Sequence, residues 1–393
     1  MPEIFPQREV PPPAPAELSD SQRNELDAHR RAMPLQRLLD NGVEYADAVA
    51  WHGLAERGVR WVDAGVWLAE TQLRRAEAAR AAGHPRSACI AFRHASACFR
   101  FAQSALTRDD DSKRALYRRL IDAFSAAAVL DPAPILKLEI PFSRGPLFGW
   151  LLEPSDGQSS ATVIVFGGAD GWREAYFTGA AYLLERGLSV LLLDGPGQGE
   201  TRLFGGVHLD IDYAAACSAA LEHLQDKFGK GPIGIWGNSM GGHLAAMAVA
   251  RDARFAACCV NGGSIRPLET LDRFPRFIDK LAAMVGTTDA GRVLAVMRHY
   301  DLTSGVDAIR CPLLVLHGGA DLVFLPENGR RIYTGASSQD KTMLYWDDGD
   351  HCLYNHAHEK NCIVSDWFHD RLAASVQARD PYMKTAQAAA SVR

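Results

Sequence analysis

The chain has 393 residues, of which 47% are hydrophobic and 23% charged, and its formal net charge is −5. This length predicts more than one domain with a substantial core, and the composition is that of an ordinary globular protein. The weakly acidic balance argues against nucleic acid or an acidic membrane surface as a partner. No apolar run approaches the roughly twenty residues that a membrane-spanning helix needs.

The first eighteen residues are rich in proline and charge and contain no apolar core of the kind that a secretory signal needs. We therefore expect a flexible amino terminus over residues 1–18 and a cytoplasmic protein. The eight cysteines form no Cys-x-x-Cys pair, which favours free buried thiols in a reducing compartment.

Residues 19–131 show a helical pattern. Apolar residues recur three and four positions apart from Trp61 to Leu68 and again from Ala88 to Leu106, as on a helix with one buried face. Gly83 and Pro85 separate the two patterns, and glycine after one helix with proline at the start of the next is typical of a helix boundary. The sequence predicts an antiparallel helical pair within an all-helical amino-terminal domain.

The periodicity changes after Asp131, and short apolar runs then alternate with helical stretches over residues 132–378. An opening hairpin followed by this alternation predicts an α/β domain with a mostly parallel twisted sheet and helices on both faces. Residues 379–393 are expected to form a flexible tail. The predicted strands are Leu136–Ile140, Leu147–Leu152, Thr162–Phe166, Ser189–Leu193, Ile233–Trp236, Ala256–Val260, Pro312–Leu316 and Thr342–Trp346.

A Gly-x-Ser-x-Gly pattern surrounds Ser239, directly after one predicted strand and before a small-residue helical stretch. A sharp strand-to-helix turn lifts a serine hydroxyl clear of the backbone, and its crowding favours glycine two residues before and two residues after the serine. Gly237 and Gly241 occupy those positions. The pattern alone arises by chance in glycine-rich loops, but its place after a strand indicates a nucleophile elbow.

Two more reactive side chains follow later strands. Asp321 lies in the loop after the strand that ends at Leu316, and His351 lies after the last strand. An isolated aspartate or histidine in a loop is usually a turn former or a solvated side chain. The order Ser239, Asp321, His351 is nevertheless that of an α/β-hydrolase triad, in which histidine is the general base and aspartate orients it.

A serine hydrolase also needs amide donors for the oxyanion. We expect the backbone N–H of Met240 to be one donor and that of Gly168 or Ala169, in the glycine-rich loop after the third strand, to be the other. The alternative is that these glycines only form a tight turn.

No cofactor or metal is predicted. The glycine-rich segment 194–200 does not have the Gly-x-Gly-x-x-Gly spacing of a dinucleotide loop, and we expect it to be a structural loop beneath the active site. The histidines at positions 351, 356 and 358 lack the carboxylate or cysteine partners of a metal site.

The segments Gly-Pro-Gly-Gln-Gly-Glu at 195–200, Gly-Asn-Ser-Met-Gly-Gly at 237–242 and Gly-Asp-His-Cys at 349–352, behind a helical amino-terminal domain, resemble a group within the α/β-hydrolase family. That group includes the dihydropseudooxynicotine hydrolase of bacterial nicotine degradation, fungal polyketide-shortening hydrolases and the fermentation-respiration switch protein. The resemblance covers about residues 45–375.

The resemblance implies carbon-carbon bond cleavage next to a ketone, with Ser239, Asp321 and His351 as the triad and substrate contacts from the helical domain. It also suggests a homodimer. A glutamate after the sixth strand is implicated in substrate handling in the nicotine enzyme, and Glu269 is its nearest counterpart. The alternative is that Glu269 is only a carboxylate at the start of a helix, since the local segment does not align securely. Trp51, His52, Trp67 and Trp172 are further candidates for an aromatic pocket, against the alternative of core packing.

We therefore expect a cofactor-independent serine hydrolase that forms an acyl-enzyme from an aromatic or polyketide-like small molecule. We expect the bond that is broken to be a carbon-carbon bond flanked by a ketone. Two alternatives are a carboxylesterase acting on a small aromatic ester and a non-catalytic binding or regulatory protein on a hydrolase scaffold.

Overall fold

The computed structural model describes residues 10–159, 161–169 and 171–379, and it divides into two compact units. The first unit extends to Leu136 and includes Glu174–Thr178, whereas the second contains Lys137–Arg173 and the chain from Gly179 onward. The sequence analysis placed this boundary after Asp131, and it did not predict that Glu174–Thr178 would belong to the first unit. Of the two predicted flexible termini, residues 1–9 and 380–393 lie outside the described residues.

The first unit is helical. Pro85 occupies the first turn of one of its long helices, and Asp110 caps the next by accepting a hydrogen bond from the Lys113 amide at 2.9 Å. The fourth and fifth helices pack against each other, which confirms the predicted helical pair. The helices are α1 (Asp20–Ala32), α2 (Leu35–Asp40), α3 (Tyr45–Glu56), α4 (Trp61–Ala81), α5 (Pro85–Ser104) and α6 (Asp111–Leu130).

An eight-stranded sheet follows, and all eight predicted strands are present with shifts of one or two residues at most of their ends. The second strand pairs antiparallel with the fourth, and the third to the eighth strands pair in parallel, in the order β1-β2-β4-β3-β5-β6-β7-β8. The strands are β1 (Ile135–Ile140), β2 (Leu147–Leu152), β3 (Ala161–Phe166), β4 (Leu188–Asp194), β5 (Ile233–Asn238), β6 (Ala257–Asn261), β7 (Leu313–Gly318) and β8 (Lys341–Trp346).

Helices connect the parallel strands, as right-handed crossover topology requires. Together with the sheet they form the predicted α/β-hydrolase architecture. The helices are α7 (Phe177–Leu184), α8 (Gly199–Leu203), α9 (Tyr213–Phe228), α10 (Met240–Arg251), α11 (Thr270–Arg273), α12 (Phe277–Val285), α13 (Ala290–Met297), α14 (Pro326–Gly335) and α15 (Ala357–Arg379).

The core of the second unit lies around the central strands. Every residue of β3, β4, β5, β6 and β7 is buried, because both faces of a parallel sheet are covered. The edge strand β8 is only half buried. Polar side chains at the carboxyl ends of these strands are therefore held on a rigid frame. Within the described part of the chain, no helix has the length and apolar character that a membrane span requires.

Candidate active site

Ser239 occupies a strained turn between β5 and α10. Its backbone has φ 61° and ψ −133°, a conformation that a residue with a side chain rarely adopts. A Cβ atom at Gly237 would collide with the backbone of Gly241, so the turn closes only with glycine there. The Ser239 amide donates to the carbonyl oxygen of Asn261 at 2.9 Å, which ties the turn to the end of β6. The predicted elbow geometry is therefore present.

The structure brings Ser239, Asp321 and His351 into one hydrogen-bonded chain. The His351 Nε2 atom lies 2.8 Å from the Ser239 Oγ atom, and its Nδ1 atom lies 2.8 Å from Asp321 Oδ2. With its proton on Nδ1, the imidazole donates to the carboxylate and accepts from the serine hydroxyl. The other carboxylate oxygen accepts the backbone amides of Val323 and Phe324 at 2.8 and 3.0 Å.

Burial and charge act in opposite directions on this pair. Burial lowers the pKa of His351, but the adjacent Asp321 carboxylate raises it, and the resulting pKa lies well above the ordinary value. Burial raises the pKa of Asp321, but His351 outweighs this, so the net pKa of the carboxyl is lowered. The pair therefore favours a charged carboxylate beside a readily protonated imidazole, as a general base and its orienting acid require.

A second histidine near Asp321 was not predicted. His317, at the end of β7, is fully buried, and its Nε2 atom lies 2.8 Å from the Phe324 carbonyl oxygen and 3.5 Å from Asp321 Oδ2. Burial lowers the pKa of His317, so a neutral ring that donates to Phe324 describes this contact better than an ion pair. His317 thus holds the loop that carries Asp321. A histidine at the end of a buried strand was the available signal.

Two of the predicted oxyanion donors, Gly168 and Met240, are close neighbours in the structure. A Cβ atom at Gly168 would lie 2.6 Å from the Met240 backbone nitrogen, so the absence of a side chain there leaves that amide open. Met240 begins α10, where backbone amides have no acceptor within the helix. Among the described residues, no acceptor bonds the Met240 or Ala169 amide. These amides are available to a developing oxyanion.

The glycine-rich segment 194–200 contacts this loop from beneath. Gln198 donates from Nε2 to the carbonyl oxygens of Gly167 and Gly168. Glu200 bonds Arg173, and burial, which raises the pKa of its carboxyl, is outweighed by Arg173 and Lys137, so that pKa is lowered. The buried carboxylate of Glu200 is thus paired, and the segment contacts the loop after β3 through Gln198.

One further contact that the sequence did not predict links the elbow to the histidine loop. The Asn261 Nδ2 atom donates to Asn238 Oδ1 at 2.8 Å and to the Cys352 carbonyl oxygen at 3.0 Å. Cys352 directly follows His351 and has a positive φ of 60°. In the sequence, this contact was indicated only by a polar residue at the end of the sixth strand.

Glu269 has well-defined protein partners. Its Oε1 atom accepts from the Asn328 side chain and lies 3.7 Å from the Arg273 guanidinium. Arg273 in turn donates to the carbonyl oxygen of Val323, two residues after Asp321. In the structure, Glu269 therefore belongs to the network that supports the Asp321 loop.

The structure gives the surroundings of three of the predicted aromatic candidates. Trp51 is fully buried in the first unit, where it stacks on Trp61 with ring centroids 4.9 Å apart and donates to the Trp61 carbonyl oxygen at 3.0 Å. His52 Nε2 lies 2.9 Å from the Met33 carbonyl oxygen in the same unit. Trp172 is buried in the second unit, with the Arg202 guanidinium 5.5 Å from its ring centre. Core packing accounts for the surroundings of Trp51.

Comparisons with known proteins identify the family of this chain. A family model described as serine aminopeptidase, S33, matches residues 157–288 and 287–358, which is just over half of the chain. The 2,6-dihydropseudooxynicotine hydrolase of Paenarthrobacter nicotinovorans is 28% identical over 355 residues, covering 88% of this chain and 94% of that protein. The 20-hydroxy-prefusarin hydrolase FUS2 of Gibberella moniliformis is 28% identical over 348 residues, covering 76% and 83%.

Solved structures give the same result for the fold. The crystal structure of the 2,6-dihydroxy-pseudo-oxynicotine hydrolase matches with a TM-score of 0.78 and 26% identity, over 87% of this chain and 97% of that one. The AbyA5 wild-type structure matches with a TM-score of 0.66 and 18% identity, over 92% and 98%, which is a likeness in fold alone.

Proposed function

Because this chain belongs to the serine aminopeptidase S33 family of α/β-hydrolases, we propose that its hydrolase activity uses Ser239, His351 and Asp321 and passes through an acyl-enzyme. The observation that supports this most directly is the continuous chain of two 2.8 Å contacts from the serine hydroxyl through the imidazole to the carboxylate. No cofactor takes part in the proposed reaction.

The proposed reaction has two halves. His351 accepts the Ser239 proton as the serine oxygen attacks a substrate carbonyl, and the Met240 amide with that of Gly168 or Ala169 stabilises the resulting oxyanion. The tetrahedral intermediate collapses, the bond to the leaving group breaks, and His351 returns the proton to that group. Water then attacks the acyl-enzyme with His351 again as base, which releases a carboxylic acid and restores the serine.

We infer that the bond broken is a carbon-carbon bond next to a ketone in an aromatic or polyketide-like small molecule. The similarity to hydrolases named for a pseudooxynicotine and a prefusarin, over most of each chain, supports a small-molecule substrate. Carbon-carbon cleavage expels a carbanion that a neighbouring carbonyl must stabilise and that His351 must protonate. An ester would expel an alkoxide or phenolate through the same triad.

The substrate contacts of Glu269 and Trp172 remain part of the proposal. Trp51 and His52 belong to it only as aromatic candidates, and both are packed or hydrogen-bonded within the first unit. A cytoplasmic location is also proposed, since all eight cysteines are free. The homodimer stays a prediction.

A fluorophosphonate probe tests the nucleophile. We expect covalent labelling of the folded protein at Ser239, located by peptide mass spectrometry, and no labelling of Ser239→Ala. Ser264→Ala is the control, because Ser264 lies in the same unit but its hydroxyl donates to Asn328 Oδ1 rather than to a histidine. An unlabelled wild-type protein with an intact circular dichroism spectrum would remove the catalytic proposal.

A substrate panel tests the bond. β-Diketones and acyl phenols are compared with aryl esters, and products are identified by mass spectrometry. Ser239-dependent release of a ketone and a carboxylic acid from a β-diketone is expected. Hydrolysis of esters alone would replace the carbon-carbon assignment with a carboxylesterase.

A further inference from the structure

Gln198 is a buried glutamine that uses its whole side-chain amide. Only 2% of the residue is exposed. Its Nε2 atom donates to the carbonyl oxygens of Gly167 at 2.5 Å and Gly168 at 3.1 Å. Its Oε1 atom accepts from the Gly195 amide at 3.0 Å and from the Tyr213 hydroxyl at 2.8 Å.

The orientation of this amide is determined by its partners. A backbone N–H can only donate, so the atom that faces Gly195 must be the oxygen. Two carbonyl oxygens can only accept, so the atom that faces Gly167 and Gly168 must be the nitrogen. A flipped amide would place like groups against each other at all three backbone contacts. Gln198 therefore has one favourable orientation.

The carbonyl groups that Gln198 binds belong to the same peptide units as the candidate oxyanion donors. In a planar trans peptide the C=O of one residue and the N–H of the next point in opposite directions. A donor bound to the Gly167 oxygen therefore directs the Gly168 N–H to the other side, and a donor bound to the Gly168 oxygen does the same for the Ala169 N–H. Gln198 thus binds both peptide units on the side opposite their N–H groups, and the Gly171 amide also donates to the Gly168 oxygen at 3.0 Å.

Tyr213, at the start of α9, completes the arrangement. A Cβ atom at Gly195 would collide with the Tyr213 hydroxyl, so glycine at this position allows the hydroxyl to reach Gln198. Tyr213 is itself buried and packs against Phe166, the last residue of β3, with ring centroids 5.6 Å apart. The amide of Gln198 is thus held from α9 as well as from its own loop.

We propose that Gln198 is a positioning residue for the oxyanion amides and that Tyr213 fixes its side chain. This proposal rests on the proposed serine-hydrolase function. Donation to a peptide carbonyl also polarises the N–H of the same peptide, so these hydrogen bonds strengthen the amides as oxyanion donors. Because the amides are already oriented before substrate binds, reorganisation during the reaction is small. The contribution falls on kcat rather than on KM, since the charge develops only in the transition state.

The experiment compares Gln198→Met, which keeps the length and removes all four hydrogen bonds, with Tyr213→Phe, which removes one hydroxyl. Hydrolysis of p-nitrophenyl acetate gives kcat and KM. An aryl trifluoromethyl ketone, which adds to the serine and places an oxyanion in the same space, gives a Ki. We expect Gln198→Met to lower kcat about 10- to 100-fold and to raise the Ki by a similar factor, with KM within about two-fold. Tyr213→Phe should likewise lower kcat and raise the Ki, each by about three-fold or more.

Tyr300→Phe is the matched control, because Tyr300 is a buried tyrosine of the same unit whose hydroxyl donates to the Asp210 carbonyl oxygen, away from this loop. It should leave kcat and Ki within two-fold of wild type, and thermal unfolding shows that each variant is folded. If Gln198→Met fails to fold, the kcat and Ki of Tyr213→Phe test the proposal on their own. Wild-type kcat and Ki in a folded Gln198→Met or Tyr213→Phe variant, with Ser239-dependent hydrolysis intact, would overturn the positioning role alone. An unlabelled Ser239 in the wild type would instead overturn the proposed function, and this inference with it.

Discussion

His351 and Asp321 are joined by a 2.8 Å hydrogen bond whose carboxylate end is itself oriented by backbone amides. The Asp321 Oδ1 atom accepts the amides of Val323 and Phe324, which leaves Oδ2 to face the imidazole. The ring orientation of His351 is therefore determined by the loop after β7. Loss of the carboxylate charge should affect both the basicity of the imidazole and its tautomer.

The pH dependence of kcat/KM tests this coupling. Burial lowers the pKa of His351, but the Asp321 carboxylate raises it by more, so the net pKa lies well above 6.5. A base must be neutral to accept the serine proton, so kcat/KM should fall as the pH decreases through this raised pKa. Asp321→Asn removes the opposing charge but leaves the burial, and the acid limb should move to lower pH while kcat falls about 10⁴-fold.

Asp348→Asn is the control for this measurement. Asp348 lies 2.8 Å from the Nε2 atom of His356 on the same loop, whereas the serine of the proposed triad bonds His351. Its loss should leave the pH profile of ester hydrolysis unchanged. An acid limb at the same pH in Asp321→Asn and wild type would contradict the coupling.

Gly168→Ala tests the oxyanion space. The added methyl group would lie 2.6 Å from the Met240 nitrogen, where we place the substrate oxyanion. We expect kcat to fall at least about 100-fold, as for loss of one oxyanion donor. Gly305→Ala is the control, because a Cβ there meets open space and its φ is −141°. Steady-state ester hydrolysis checks both, and near wild-type kcat in a folded Gly168→Ala would place the oxyanion elsewhere.

Much of the fold could be predicted because its signals are local. The buried parallel strands β3 to β7 are short continuous apolar runs, and the serine and the aspartate each follow such a run, whereas the histidine follows the half-buried strand β8. The chain order of those loops is enough to recognise the arrangement. Predicted strand ends differed by a residue or two because a strand continues into its loop without a change in composition.

The supporting contacts could not be predicted in the same way. Gln198 and Gly167 are 31 positions apart, and Asn261 and Cys352 are 91 apart, so these contacts depend on which strands are neighbours. His317 contacts the Asp321 loop from the same segment, but its burial is visible only in three dimensions. Trp51 was a pocket candidate in the sequence but is packed inside the first unit, because an aromatic residue type alone does not distinguish a pocket from a core.

Trp51→Ala tests which of those two roles applies. Trp51 stacks on Trp61 inside the first unit, so its removal should lower the free energy of unfolding by about 3–5 kcal/mol. Tyr45→Ala on the same helix is the control, because Tyr45 is 63% exposed and should change stability by less than about 0.5 kcal/mol. Urea unfolding followed by circular dichroism measures both. A raised KM with unchanged stability in Trp51→Ala would restore the substrate-contact prediction.

Asn261→Asp tests whether the elbow and the histidine loop are positioned together. The Asn261 side chain donates to Asn238 and to the Cys352 carbonyl, and its backbone oxygen accepts the Ser239 amide. Aspartate has the same size, but it would place a carboxylate oxygen, which cannot donate, against the Asn238 and Cys352 oxygens. We expect a loss of roughly 1–3 kcal/mol in stability, because buried acceptors lose their donor.

Activity separates positioning from simple stabilisation in this variant. If Asn261 holds the Ser239 and His351 loops in register, kcat should fall about ten-fold or more at temperatures where the protein is fully folded, because small misplacements of reacting groups are costly. KM should change little. Asn24→Asp is the control, since Asn24 is an exposed residue of α1 in the first unit and its substitution should alter neither quantity appreciably. A folded Asn261→Asp protein with wild-type kcat would mean that this contact stabilises the second unit without positioning its reactive groups.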